Sequence, residues 1–380
     1  MTEKLYDKDS FLKSFSATVI SCDEYFENYA IVLDKTAFFP EAGGQKSDKG
    51  VLGNANVMDV QIADDIITHI TDAPLKVGET VEGIIDFERR FDFMQQHSGE
   101  HIVSGVAHKL FGCENVGFHL SEDIVTLDFD KPLTQEEILK IEEEANKAVF
   151  ENVNFYTYYP DEETLKNLKY RSKKELLGDI RIVEIENTDM CACCAPHVKT
   201  SGQIGLIKLL ATEKLRGGVR IEMKCGKRAL YDYRESYDNL HKISKSLCAK
   251  REESAQAVDK LLEQISDLKY KYTGLKKQIL LEKVDNLNPE KDITALFEDG
   301  LEIKDLQSLA DALYKKWGGI RAVLSPAENG YSFAICGEET ELAKFFENLK
   351  NNLSVRGGGR GNMVQGTVFA SYKEILDFYK

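Results

Sequence analysis

Two pairs of residues with one spacing carry the chemistry legible in this chain. His97 and His101 stand four apart in "QQHSGEHIV", and Cys193 and His197 stand four apart in "MCACCAPHVKT". On an α-helix that spacing stacks two imidazoles on one face, about a turn from each other, so both can reach a single ion. The second pair follows the strand-like run "IRIVEI" and falls, with Pro196, on a predicted loop. Together the pairs offer three imidazole nitrogens and one thiolate, a donor set suited to tetrahedral, borderline-soft Zn2+. Cys191 and Cys194 share the loop, and spacing leaves open which thiol binds. His108 continues the helical stripe, but lies about 10 Å beyond His101 along the axis and reads as a packing or surface residue. A second chemistry competes: His97 to His101 also spells H-x-x-E-H, the inverted zinc-protease signature, with Glu100 as general base and a carboxylate such as Glu175 as third ligand. Under that reading Cys193 and His197 have no role.

These residues need elements to hold them. Residues 1–88 alternate apolar and polar positions in short runs ("SATVISC", "YAIVLDKTAFF", "VEGIIDF") broken by Gly- and Asp-bearing turns, which predicts a small N-terminal antiparallel β-barrel. From Arg89 to about Gly112 the period becomes helical, with Phe93, Ile102, Val103, Val106, Leu110 and Phe111 as the apolar stripe. Strands and helices then alternate to residue 228, an α+β layer. Residues 229–287 read as a helical, coiled-coil-like linker in which Val258, Leu261, Ile265, Leu268, Tyr272, Leu275 and Ile279 keep a 3-4 spacing. Such a seam wants a partner helix, either within the chain or in a second copy. The segment is one rod or a hairpin bent near residues 248 to 255; the seam-breaking Ser244, Arg251 and Ser254 favour the hairpin. Pro289 ends the helical region, and residues 288–380 form a separate α/β domain.

Composition narrows the setting. The chain has 380 residues, enough for several domains, and a formal net charge of −15. That charge excludes a nonspecific nucleic-acid coat, because phosphate neutralisation needs exposed Lys and Arg. Two local basic patches stand against it: Lys166, Lys169, Arg171, Lys173 and Lys174 in one, and Lys214, Arg216, Arg220, Lys224, Lys227 and Arg228 in the other. No apolar run reaches the roughly 18 residues of a membrane span, and no signal-peptide pattern opens the chain. A soluble, cytoplasmic protein without a membrane partner is expected, and scattered cysteines suit a reducing compartment.

The stretches "TAFFPEAGGQKSDKG", "QHSGEH", "CACCAPHVKTSGQIGLIKLL" and "RGGVRIEMKCGKRAL" resemble the editing half of alanyl-tRNA synthetase. The tail "RGGGRGNMVQG" is similar to the glycine-rich motif of that enzyme's DHHA1-type C-terminal domain. Nothing like an aminoacylation domain precedes the barrel, so the chain resembles the freestanding alanyl-tRNA editing family, AlaX, in its long form. The resemblance implies a zinc-binding editing (second additional) domain over 89–228, a DHHA1-like domain over 288–380, and His97, His101, Cys193 and His197 as zinc ligands. It implies hydrolysis of Ser-tRNA(Ala), and by extension Gly-tRNA(Ala). A synthetase pocket sized for alanine excludes neither smaller glycine nor serine with its added hydroxyl. Thr36 and Gln45 match the family's serine-sensing positions, Gly43 and Gly44 would let backbone pass close to substrate, and Glu100 or Glu41 would be acid/base candidates. Arg216, Arg220, Arg356 and Arg360 would meet tRNA phosphates, the last two on a flexible glycine run, and the C-terminal domain would support a homodimer. The family's Cys-Gly-Gly-Thr-His loop is here Cys193-Cys-Ala-Pro-His197. Its proline is shared with the threonyl-tRNA synthetase editing domain, which makes Ser-tRNA(Thr) the second substrate expectation, and a zinc-stapled noncatalytic tRNA binder a third.

Overall fold

The computed structural model describes residues 2–172, 179–287 and 293–379. Lys173, Lys174, Glu175, Pro289 and the expected boundary at 287/288 lie outside them. The chain is a mixture of α and β structure in two compact units, Met1–Lys242 and Ile243–Lys380.

In the first unit, six strands close on themselves: Ser14–Tyr25, Asn28–Leu33, Ile66–Thr71, Ala55–Ala63, Gly50–Leu52 and Thr80–Ile85, the last paired back to the first. Alternation of burial along each strand (Thr80–Ile85 reads exposed, buried, exposed, buried) sends Phe15, Ala17, Val19, Ile31, Leu33, Val60 and Ile67 into one core. The segment after Leu33 leaves the barrel wall, and Ala37, Phe38 and Phe39 plug the interior with none or almost none of their surface exposed.

Asp86 then caps the helix Phe87–Phe111 by accepting the Arg89 amide, and Gly112, at φ 62°, ends it in the left-handed conformation. The helix is buried on nearly every side from Phe93 to Ala107, rather than along one stripe, and Leu110 of the expected stripe is exposed. Two sheets enclose it. One has four strands in the order Ile207–Leu215, Gly218–Cys225, Val125–Phe129, Asn115–Leu120; the other has three, Phe155–Tyr158, Ile182–Ile185, Asp189–Ala192. Gln95 and Gln96 anchor the helix by bonding the backbone of Gln203, Ile204 and Cys225. A buried ion pair ties helix to barrel: Arg90 donates to Asp48 and to the carbonyls of Ser10 and Ala37, while Asp48 also accepts the Phe39 amide. Breaking such a pair leaves one charge buried alone, at about 3–5 kcal/mol.

The helix Gly226–Ser246 stops before residue 247, and a new helix runs Ser254–Asn286, so the expected linker is interrupted near the predicted bend rather than forming one continuous rod. All seven residues of the 258–279 seam are exposed. Beyond the seam, Leu280 and Val284 near the end of the same helix are buried against Leu306, Leu309 and Leu313. The second unit is completed by a five-stranded sheet, Ile293–Phe297, Ile320–Ala327, Gly330–Cys336, Met363–Val368, Val355–Arg360, with helices Ile303–Trp317, Glu339–Asn352 and Tyr372–Tyr379. The glycine run is therefore not a loose loop. Val355–Arg360 is an edge strand in register with Met363–Val368, where Gly357 faces Gly366 so closely that a Cβ on Gly366 would meet the Gly357 Cα at 2.6 Å.

Candidate metal centre

The four residues expected as ligands come together: one donor atom from each of His97, His101, Cys193 and His197 lies within 4.8 Å of the others, a cluster that could hold a metal ion. The helix delivers the first two with ring centroids 5.4 Å apart, and the Cys193–His197 loop folds down so that His197 lies 5.0 Å from His97 and 4.7 Å from His101. Cys193 Sγ sits 3.6 Å from His97 Nε2 and 3.4 Å from His197 Nε2. Cys193, and not Cys194, is thus the thiol that converges with all three imidazoles. Cys194 is exposed, and Cys191 is buried in a second grouping with His101 and Asp189.

Each imidazole is aimed by what its other nitrogen touches. His97 Nδ1 meets Gln45 Oε1 at 2.9 Å and His197 Nδ1 meets Ser98 Oγ at 3.0 Å. His101 Nδ1 lies 3.6 Å from Asp189 Oδ2, an ion-pair rather than a hydrogen-bond distance, and Arg171 holds Asp189 through two bonds of 2.7 Å. Partners on the outer nitrogen fix tautomer and ring orientation, which leaves Nε2 for the ion. The approach of Asp189 depends on Gly105, one turn beyond His101, where a Cβ would stand 2.6 Å from the Asp189 Cβ. The loop has its own brace. Arg181, buried, donates to the carbonyls of Cys193 and Ala195 at 3.0 and 2.9 Å, and the Ala195 amide faces Cys193 Sγ at 3.5 Å.

At two of the four donors, Cys193 and His197, the surroundings favour the deprotonated form that a metal binds. Burial works to raise the Cys193 thiol, but the neighbouring imidazoles of His97, His197 and His101 outweigh it and hold the thiol well below its ordinary range. Burial pushes His197 down to about 3, so it is a neutral imidazole near neutral pH. For His101 burial is outweighed by the nearby Cys191, Asp189 and Cys193, and its pKa rises.

The three histidines are buried while Cys193 is half exposed, so the cluster opens on the Cys193 side. There Gly43 faces Cys194, whose Sγ would be 3.6 Å from a Cβ at that position. Gly44, at φ 81°, packs on Phe118, which a Cβ would meet at 2.8 Å. Gln45 is buried beside the cluster, and its Nε2 has no hydrogen-bond partner among the described residues. Thr36 lies buried in the barrel, bonded to His69 and to the Phe38 amide. The protease signature assigns Glu100 as general base, but one oxygen of that carboxylate is already engaged. Its Oε1 accepts from Ser104 at 2.8 Å and Asn115 at 2.6 Å, and the signature's idle pair, Cys193 and His197, is part of the cluster. Glu41 is exposed, and His108 pairs at the surface with Glu114 at 2.7 Å.

The basic patches are largely spent internally. Arg171 serves Asp189; Arg220 is bidentate to Asp128 at 2.7 and 2.8 Å; Lys224 pairs with Asp232, Lys227 with Glu88 and Arg228 with Asp92. Among the described residues, Lys214, at the end of strand Ile207–Leu215, and Arg216, in the turn after it, are exposed without an ion-pair partner, and Arg356 and Arg360 are exposed on the edge strand. Sequence reasoning missed Asp189, Ser98, Arg181 and His69. Asp189 had a weak signal, four positions before Cys193, and the rest had none.

Comparison with known proteins adds a family context. Residues 11–89 match the model of tRNA synthetases class II (A), and residues 180–222 that of the threonyl and alanyl tRNA synthetase second additional domain. The chain is 30% identical to the alanyl-tRNA editing protein AlaX-L of Pyrococcus horikoshii, over 99% of this chain and 97% of that protein. It is 30% identical to the alanine–tRNA ligase of Ignicoccus hospitalis, of whose length it spans 40%. Against the alanyl-tRNA editing protein Aarsd1 of Rattus norvegicus it is 30% identical over 68% of this chain. No described helix is long and apolar enough to cross a membrane.

Proposed function

Because this chain belongs to the alanyl-tRNA editing protein family, we propose that it hydrolyses the aminoacyl ester of mischarged Ser-tRNA(Ala), and of Gly-tRNA(Ala), in the cytoplasm. The observation that carries the reading is the convergence of His97, His101, Cys193 and His197 beside Gln45. The ion is proposed to be zinc. A tetrahedral zinc needs N-to-S edges of about 3.5 Å, and the two observed Sγ to Nε2 separations are 3.4 and 3.6 Å. Zinc held by these four ligands would have its tetrahedral positions filled by the protein and would supply positioning of the acylated 3′ end.

The remaining tasks fall to the chain. Gln45 Oε1 holds His97 in its tautomer, and the Nε2 of Gln45 is left as a donor for an oxygen of the substrate. Gly43 and Gly44 let backbone lie against the acylated 3′ end without side chains in the way. Thr36 supplies the contact that a serine hydroxyl satisfies and an alanine methyl does not; alanine leaves buried polar groups unpaired, which spares the correct product. Glu100 is the proposed acid/base group: its Oε1 is held by Ser104 and Asn115, and its Oε2 lies 3.9 Å from His101 Nε2. Arg216, Arg356 and Arg360 are the proposed phosphate contacts; Arg220 would have to leave Asp128 first. The modules proposed are 1–88, 89–228, 229–287 and 288–380, with the exposed 258–279 seam as a place for a second copy to pack.

The test is direct. Purified protein is incubated with tRNA(Ala) charged with Ser, Gly or Ala and with Ser-charged tRNA(Thr), with and without a chelator. Metal-dependent release of serine from tRNA(Ala), with Ala-tRNA(Ala) left intact, supports the reading. Binding without turnover identifies a metal-stapled tRNA binder instead, and an unchanged rate after verified metal removal would overturn the zinc-dependent mechanism.

A further inference from the structure

His69 lies in strand Ile66–Thr71 with none of its surface exposed. Its backbone is the register partner of Ile31 on the neighbouring strand, so its ring stands over that residue's peptide. Nδ1 is 3.1 Å from the Ile31 carbonyl oxygen, and Nε2 is 2.8 Å from Thr36 Oγ1. A carbonyl only accepts, so the ring proton must sit on Nδ1. Burial pulls the ring's pKa down to about 4, against the bond to Ile31, so near neutral pH that is the sole ring proton. Nε2 is then a bare acceptor, and the Thr36 hydroxyl has to donate to it.

The Phe38 amide donates to the same Thr36 oxygen at 3.1 Å. With its proton committed and one lone pair taken, Thr36 has one acceptor site left and no donor. Gln45 has the opposite polarity. If His97 carries its proton on Nδ1, Gln45 Oε1 is committed at 2.9 Å, and only the buried Nε2 donor remains. A hydroxyl both donates and accepts, so an acceptor-only Thr36 and a donor-only Gln45 complement it; a methyl or a hydrogen satisfies neither.

We propose that His69 is a positioning residue for substrate choice: by taking the hydroxyl proton of Thr36, it fixes Thr36 as an acceptor for the β-hydroxyl of misattached serine. This rests on the deacylase reading above.

The experiment uses the full chain as wild type, His69→Leu, His69→Gln, Thr36→Val and the His69→Leu/Thr36→Val double variant, each assayed on Ser-tRNA(Ala) and Gly-tRNA(Ala). Gly-tRNA(Ala) has no β-hydroxyl, so it registers general damage to the fold or the metal centre. His69→Leu should cut the kcat/KM preference for Ser over Gly roughly 10- to 100-fold, and Thr36→Val by a similar factor. The double variant should lose little more than either single variant, because both remove one unit. His69→Gln, whose amide oxygen can still accept from Thr36, should restore part of the preference. Equal loss on both substrates, or additive losses in the double variant, would leave His69 as a barrel-packing residue and overturn the proposal. Where His69→Leu does not fold, 15N NMR of the wild-type protein decides: an Nδ1-protonated ring with a hydrogen-bonded, unprotonated Nε2 is required, and a proton on Nε2 overturns it. If the wild type deacylates neither substrate, the deacylase reading fails and the proposed role in substrate choice falls with it, while the NMR still reports the polarity of Thr36 as a separate result.

Discussion

His97/His101 and Cys193/His197 share a four-residue spacing and a common centre, yet they are held in different ways. The helix pair is placed by backbone: any residues at those positions of a buried helix would stack. The loop pair has no such ladder. Its geometry depends on a guanidinium, that of Arg181, spanning two carbonyls, and on one amide facing the sulfur. A spacing identical in sequence therefore means preorganisation in one case and a braced loop in the other. The outer contacts do not divide in this way, since all three imidazoles are aimed by residues far away in sequence, Gln45 for His97, Asp189 for His101 and Ser98 for His197.

This contrast can be broken most sharply by removing ligands. His101→Ala and Cys193→Ala should each weaken metal binding by on the order of a thousandfold, read by competition against a chromophoric chelator. Hydrogen exchange of the metal-free protein should then separate the pairs, with protection lost over 191–198 and retained over 93–107. Retained protection in both segments would show the loop to be as preorganised as the helix. The next largest effect is expected from Arg181→Met, which removes the loop's brace but no ligand. Metal affinity should fall roughly 10- to 100-fold with the helix pair untouched.

Gly105→Ala tests the helix side. The added methyl must displace Asp189, so His101 loses its outer partner and affinity should drop about 10-fold; Asp189→Asn should do the same without a steric change. An unaffected Gly105→Ala protein would mean that His101 needs no outer partner. The smallest effect is in pH dependence of the metal-free protein. His197 has a folded pKa near 3 against an ordinary 6.5, so the stability from keeping it neutral is present above about 6.5 and lost as pH falls toward 3. His101 is raised, so its contribution is present below 6.5 and lost as pH rises through its folded value. Denaturant melts should show His197→Ala and His101→Ala changing the slope of stability with pH in opposite senses, each by at most ~1.4 kcal/mol per pH unit.

Much of the candidate site was open to inspection in the chain itself, because ligand chemistry is local. Helical period from 89 to 112 placed His97 and His101 on one face, and Gly112 marked the stop that the structure has. What could not be read was which thiol turns inward. Three cysteines crowd positions 191 to 194, and only the path of the strand Asp189–Ala192 and the brace from Arg181 aim Cys193 at the imidazoles. Basic patches were misleading for a related reason. Charge runs look alike in sequence whether they face solvent or a carboxylate, and Asp128, Asp92 and Asp189 are far in sequence from the arginines they neutralise. The glycine run was read as flexible because glycine is permissive, whereas edge pairing with Met363–Val368 holds it extended.

By itself, the sequence determined what kinds of donor were present, how they were spaced, and that strand and helix periods would alternate around them. These are properties of neighbours along the chain. Tertiary structure alone decided that Gln45, Ser98 and Asp189 would stand behind three imidazoles, and that His69 would meet Thr36 inside a barrel. Such contacts join residues whose approach depends on strand register and on close helix packing, and no local pattern encodes a distance across a core.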